Sequence, residues 1–374
     1  MDVRALQGRT LPEVDAALKS MLADGFVPNL AIVFASVAHN LTALGAMLAS
    51  AGMDVFGASS SGEILAAEFE QIIYEQSIVA LLINVDRAAY RLRLFDAHDQ
   101  PLSRVGQEVG LWAKETFAHP ALLVMMSGVW SDGEQLVKGF MQATGTAIPL
   151  YGGKAGDDGH LKDTFVFSNN GLSDFGVLAL SVDQSRITVQ GQAASGWQAM
   201  GIERTITESD GMVVRTIDNV PALDLYRDYL GVANDTEITF LEWPLQILRD
   251  GYSVLRTPMW PTPQPGALQF AGVVAGGSQV RFSTSPGIEI IDEALAEMRK
   301  LHKQIKAAKA LVLFSCLCRH LALGPLAEDE VQPMQQLWGA PLVGFYTYGE
   351  IGPNISGVCD FHNSTCVLVA LGER

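Results

Sequence analysis

The stretch Pro341-Leu342-Val343-Gly344-Phe345-Tyr346-Thr347-Tyr348-Gly349-Glu350-Ile351 is an apolar run of strand length that ends in a Gly-containing turn. Upstream stands a second apolar run, Ala310–Phe314, closed by Ser315, and the segment Asp329–Trp338 between the two fits a helix. Strand, helix, short strand and Gly-rich turn in that order make a βαβ-like unit. The order occurs twice more. Leu30–Ala35, a helix over Leu41–Ala51 and Asp54–Gly57 lead into Ala58-Ser59-Ser60-Ser61-Gly62-Glu63-Ile64. Ala121–Met126, a helix over Gly133–Gln142 and Ile148–Tyr151 lead into Gly152-Gly153-Lys154-Ala155-Gly156-Asp157-Asp158. Gly-Glu-Ile recurs at 62–64 and 349–351. We therefore expect an α/β protein of two domains, with internally repeated βαβ-like units and mixed sheets.

Between the copies the composition changes. Ser77–Val85, Ala89–Phe95, Thr164–Ser168, Gly176–Val182, Ile187–Gly191 and Gly211–Ile217 have the makeup of antiparallel strands. Pro221–Gly231 reads as a helix with Pro in its first turn and Gly after its end. This change sets the expected domain boundary near Val220, giving domains over 25–220 and 221–374. Residues 257–268 hold four prolines and read as an extended linker or loop, and Ile288–Ala308 reads as a long amphipathic helix.

Composition narrows the function. The 374 residues are 48% hydrophobic and 18% charged, which excludes a disordered chain and promises a large core. The net charge of −16 argues against nucleic acid and anionic lipid as partners. Met1–Ala5 lacks the apolar core of a signal peptide, and the apolar runs are too short for a membrane helix, so a soluble cytoplasmic protein is expected. The four cysteines, Cys316, Cys318, Cys359 and Cys366, all lie near the end of the chain and read as reduced, buried thiols.

The loop Gly128–Glu134 has the glycine spacing of a phosphate loop, but Glu134 and Gln135 stand where Lys and Ser or Thr are required. No G-x-S-x-G, H-E-x-x-H or strand-following G-x-G-x-x-G is found. An enzyme of unrecognised type stays open as an alternative. The repeated turns after strands mark where α/β folds leave a ligand crevice. The candidates there are Ser59, Gly62, Gly153, Asp157, Arg319, Tyr348 and Glu350. The carboxylates of Gly152–Asp158 could hold an ammonium or cation. Arg319 could pair with a ligand carboxylate, or internally with, for example, Glu350. Cys316, Cys318 and His320 alternate, so in a strand they would share a face, and with Cys359, His362 or Cys366 a metal site is conceivable.

Taken as a set, several segments resemble the FIST proteins, sensory modules with N-terminal and C-terminal FIST domains. They are Gly57–Ile64, Leu150–Asp158, Gly196-Trp197 through Ala222, Phe314–Arg319, and Gly344–Ile351 followed by Phe361-His362-Asn363-Ser364-Thr365. The resemblance implies small-ligand sensing coupled in trans to a signalling protein such as a histidine kinase or a cyclic-di-nucleotide enzyme. It also implies two kinds of ligand: haem that reports nitric oxide, or an amino acid or other metabolite. Where the family pattern has Ser-Cys-x-Gly-Arg, this chain has Cys318 in place of Gly, and His320 after Arg319. For haem, His320 is the expected axial ligand, with His160 and His362 as alternatives.

Overall fold

The computed structural model describes residues 1–67, 71–145, 148–231, 240–249, 251–285 and 287–374. Three units of one plan account for most of them. The first runs through strand Asp2–Gly8, helix Leu11–Ala23, strand Leu30–Ala35, helix Leu41–Ser50, strand Asp54–Ser59, a hairpin of Glu63–Ala66 and Ile73–Tyr74, and strand Ile78–Asn84. The second repeats it from Tyr90 to Asp183, with its hairpin at Val166–Ser168 and Gly171–Ser173. The third begins at Ile187–Ala194, resumes at helix Glu289–Gln304, and ends at Glu373 after the hairpin Glu350–Pro353 and Cys359–His362. The repetition expected from three apolar runs thus extends to complete units.

Local chemistry starts the helices. Thr10, Asn40 and Asp132 are N-caps whose side-chain oxygens accept backbone N–H bonds from Glu13, Ala43 and Glu134. The strands Leu30–Ala35, Pro120–Met126 and Ala310–Cys316 are buried throughout. A strand covered on both faces reads as a continuous apolar run, which is why these three were visible in the sequence. Each pairs in parallel with the last strand before its turn: Asp54–Ser59, Leu150–Lys154 and Leu342–Thr347.

The hairpins join the units in a ring. Glu63–Ala66 of the first unit adds antiparallel to Leu342–Thr347 of the third. Glu350–Pro353 of the third adds to Leu150–Lys154 of the second, and Val166–Ser168 of the second adds to Asp54–Ser59 of the first. Three six-stranded mixed sheets result, each built from two units. Three backbone bonds of equal length close the ring: Ser61 N to Tyr346 O, Tyr348 N to Lys154 O and Gly156 N to Ser59 O, each 3.0 Å.

The inner faces of the sheets share one core, in which Phe34, Phe314 and Phe345 meet with ring centroids 4.4–6.3 Å apart. Each outer face is covered by its own unit's helices. A fourth sheet, of eight strands between Gln198 and Thr284, is inserted in the third unit with helix Ala222–Leu230 and has its own core around Tyr226, Phe270 and Phe282.

Some expectations change in detail. The proline-rich stretch is not a linker throughout: Pro258–Pro261 is a strand paired with Leu268–Phe270 at a sheet edge, where lost N–H donors are tolerated. The strand that starts at Ala310 ends at Cys316, and Leu317–Leu323 is a helix, so Cys316, Cys318 and His320 do not share a strand face. The expected boundary lies within the inserted sheet, at the two-residue strand Val220–Pro221, and two of the six-stranded sheets contain strands from both sides of it. No helix among the described residues is long and apolar enough to cross a membrane.

Candidate functional site

Above the closing ring, at the carboxyl ends of the parallel strands, lies a pocket of about 450 Å3. All three units reach it. The first gives Ser61, Gly62, Glu75 and Gln76; the second gives Asp158, Gly159, His160 and Leu161; the third gives Cys316–Cys318, His320, Leu321, Thr347, Tyr348 and Asn363. The inserted sheet supplies a further wall through Thr257, Met259 and Ala271.

The turns that frame the pocket are held by buried carboxyl groups. Glu63 accepts from Ser60 Oγ and, at 2.9 Å each, from Ser77 N and Oγ. Glu350 accepts from Thr347 Oγ1 and from Thr365 N at 3.3 Å. The two Gly-Glu-Ile segments therefore use one pattern: a hydroxyl three residues before the Glu and a backbone N–H from the start of the returning strand. Burial pushes Glu63 up to about 7 and Glu350 well above the usual carboxyl range. The preceding glycines have positive φ, 109° at Gly62 and 151° at Gly349, and a Cβ on Gly349 would lie 2.2 Å from the Phe361 ring.

In the second unit Asp157 ties the loop. Its carboxylate accepts from Leu161 N, Lys162 N and Asp163 N at 2.6–3.0 Å and from the Tyr348 hydroxyl. Asp158 beside it, half-buried at φ 56°, accepts from Ser36 Oγ at 2.7 Å, and burial raises its carboxyl above the ordinary value.

Gly62 and Tyr348 thus line the pocket, while Ser59, Gly153, Asp157 and Glu350 lie behind it as framework. Ser59 Oγ donates to Gly156 O at 2.6 Å and accepts from Phe165 N at 2.8 Å. Gly153 packs on Phe314, where a Cβ would lie 2.9 Å from the ring. Arg319 is turned away into the protein. It is 0% exposed, its Nε donates to both oxygens of Glu330 at 2.8 and 2.9 Å, and its Nη2 donates to Ile290 O at 3.1 Å. The internal pairing is with Glu330, one helix further on, and not with Glu350.

The repeated units and the sequence match decide the family together. A FIST N domain model matches residues 29–220, and a FIST C domain model matches residues 222–353. This chain belongs to the FIST family. FIST domains are associated with sensing in signal transduction. The chain is also similar to two proteins described as uncharacterized, from Mycobacterium bovis and Mycobacterium tuberculosis. Each is 25% identical over 238 residues, which cover 60% of this chain and 60% of the relative.

The three candidate haem-ligand histidines of this FIST protein separate. His320 and His160 line the pocket. The His320 ring stacks on Tyr346, with centroids 4.1 Å apart, and its Nδ1 is buried without a partner. Burial lowers its proton affinity below that of an ordinary imidazole, against the opposing charge of Glu75. His160 Nδ1 bonds Asp157 O at 2.8 Å. His362 lies elsewhere, in a separate cavity with Trp197 and Asn354, and its Nε2 bonds Gly352 O at 2.9 Å. Among the described residues no three His, Cys, Asp or Glu side chains are grouped to hold a metal ion. Sequence reasoning did not single out Asn363 or the inserted-sheet residues Thr257 and Met259. Asn363 had a signal, its place in Phe361–Thr365; the other two had none.

Proposed function

We propose that this FIST protein is a cytoplasmic small-ligand sensor that acts in trans on a separate signalling protein, such as a histidine kinase or a cyclic-di-nucleotide enzyme. One observation carries the reading: a single pocket is walled by all three units and by the inserted sheet. A ligand there touches every part of the fold at once, and it can shift only what it binds differently in two arrangements. No Lys or Arg is found among the described lining residues, whereas Glu75 and Asp158 are. That set fits haem poorly. His320 offers an imidazole, but the propionates would meet two carboxylates, and Arg319 is committed to Glu330. A metabolite is the better-supported ligand.

Absorbance of protein produced with haem supplied separates the two ligand classes. A Soret band kept through gel filtration and lost in His320→Ala favours haem. A flat spectrum, with a Tm that rises on adding metabolites, favours the metabolite. If neither haem nor any metabolite changes spectrum or Tm, the sensor reading fails.

A further inference from the structure

We infer that the pocket takes an organic cation: an amine with an apolar body and no carboxylate. The inference rests on the ligand-sensor reading and names the chemistry of its ligand.

Three observations carry it. First, the formal charges at the wall are negative, from Glu75 and Asp158, with no Lys or Arg among the described lining residues. An amino acid would have to place its own carboxylate beside them, without a cation to meet it. Second, Asn363 is 1% exposed at this wall, and both its Nδ2 and its Oδ1 lack partners. Buried amide groups are nearly always hydrogen-bonded, and an orphaned one is costly, so a group that supplies its partner is expected there. An ammonium can donate to the orphaned Oδ1 and, more strongly, to the carboxylates beside it, while the orphaned Nδ2 is itself a donor and calls for an acceptor elsewhere on the ligand or from water. Third, Leu241, Met259 and Leu321 supply an apolar wall beside the polar one, which suits a hydrocarbon or aromatic body.

Calorimetry and thermal shift on the full chain test this with matched probes: isoamylamine, 2-phenylethylamine and tryptamine, each against its amino acid and its deaminated acid. At least one amine should bind ~10-fold or more tightly than its amino acid, with no binding of the acid, since one such pairing is worth at least a factor of ten. Asp158→Asn and the exposed Glu75→Gln should each weaken that amine several-fold or more while the far-UV circular dichroism stays unchanged. Glu75→Gln keeps the test available if Asp158→Asn fails to fold. The proposal is overturned if no amine binds, if an amino acid or acid binds as tightly as its amine, or if both substitutions leave amine affinity unchanged. Binding of an acid or haem at this pocket would overturn the amine assignment and leave the sensor reading standing. Silence from every probe would overturn the amine assignment, and the sensor reading would fall only if haem and the wider metabolite set were silent too.

Discussion

Arg319 looks from sequence like a ligand anchor, because it follows a buried strand at the end where α/β folds bind ligands. In the structure its guanidinium is wholly buried and used up by Glu330 and two backbone carbonyls, those of Ser195 and Ile290. The charge is kept deep in the protein by its partner, and removing that partner leaves it uncompensated. Breaking such a pair costs about 3–5 kcal/mol. Glu330→Gln should therefore lower urea stability by about that much, with ligand affinity unchanged in whatever fraction folds. A variant as stable as the parent would mean that the pair contributes little. The partner was not legible in the sequence. Glu330 lies on the next helix, Ala327–Trp338, amid Glu328 and Asp329, and only packing selects which of these acids turns inward.

The turn with its buried Glu is the repeated device at the scale of elements, and half of it could be read directly. Gly-Glu-Ile at 62–64 and 349–351 announced a shared role. What the triplet could not show is that each Glu reaches back to a hydroxyl and forward to a returning strand, since Ser77 and Thr365 are distant in sequence. Nor could it show that the hairpin leaves its own unit, because Glu63–Ala66 meets Leu342–Thr347 across most of the chain. The local pattern of a strand says which face is buried and nothing about which unit covers it. A titration follows from the burial. Glu63 is raised from 4.5 to about 7, so the folded state favours its protonated form. Its contribution to stability is complete below pH 4.5 and declines as pH rises through 7, by about 3 kcal/mol in total. In Glu63→Gln that decline should vanish. Urea midpoints of the two proteins, compared at intervals from pH 4.5 to 8, should converge or cross in the variant's favour; parallel curves would show that Glu63 ionises freely in the fold.

At the scale of the molecule, three like units exchange hairpins around a common core, and one of them carries an inserted sheet that walls the pocket. The apolar runs made the three units visible, but nothing in the sequence marked the insertion, because the change of composition at Val220, where the domain boundary is expected, comes after its first strand begins at Gln198. Ionic bonds hold this sheet to the rest. Arg256, fully buried, donates to Glu134 of the second unit at 2.7 Å, and Arg249 reaches Glu134 at 3.1 Å and Asp360 of the third unit at 2.6 Å. Burial works against the charge on Glu134, yet Arg256, Lys138 and Arg249 outweigh it and hold the carboxyl at about 2. Its folded value is depressed below 4.5, so this contribution is present above pH 4.5 and is lost as pH falls toward 2, again about 3 kcal/mol. Glu134→Gln should remove that acid-side loss and, at neutral pH, leave Arg256 buried without its closest counter-charge. The expected consequence is local before it is global. Amide exchange should quicken more in Leu245–Arg249 and Tyr252–Arg256 than in Leu30–Ala35 and Ala310–Cys316, since the inserted sheet has its own core and can open as a unit. Equal quickening in all four strands would mean that the sheet and the ring of units unfold together. In that case the wall of the pocket could not move independently of its floor, and a bound ligand would be read out by stiffening of the whole fold and not by displacement of the inserted sheet.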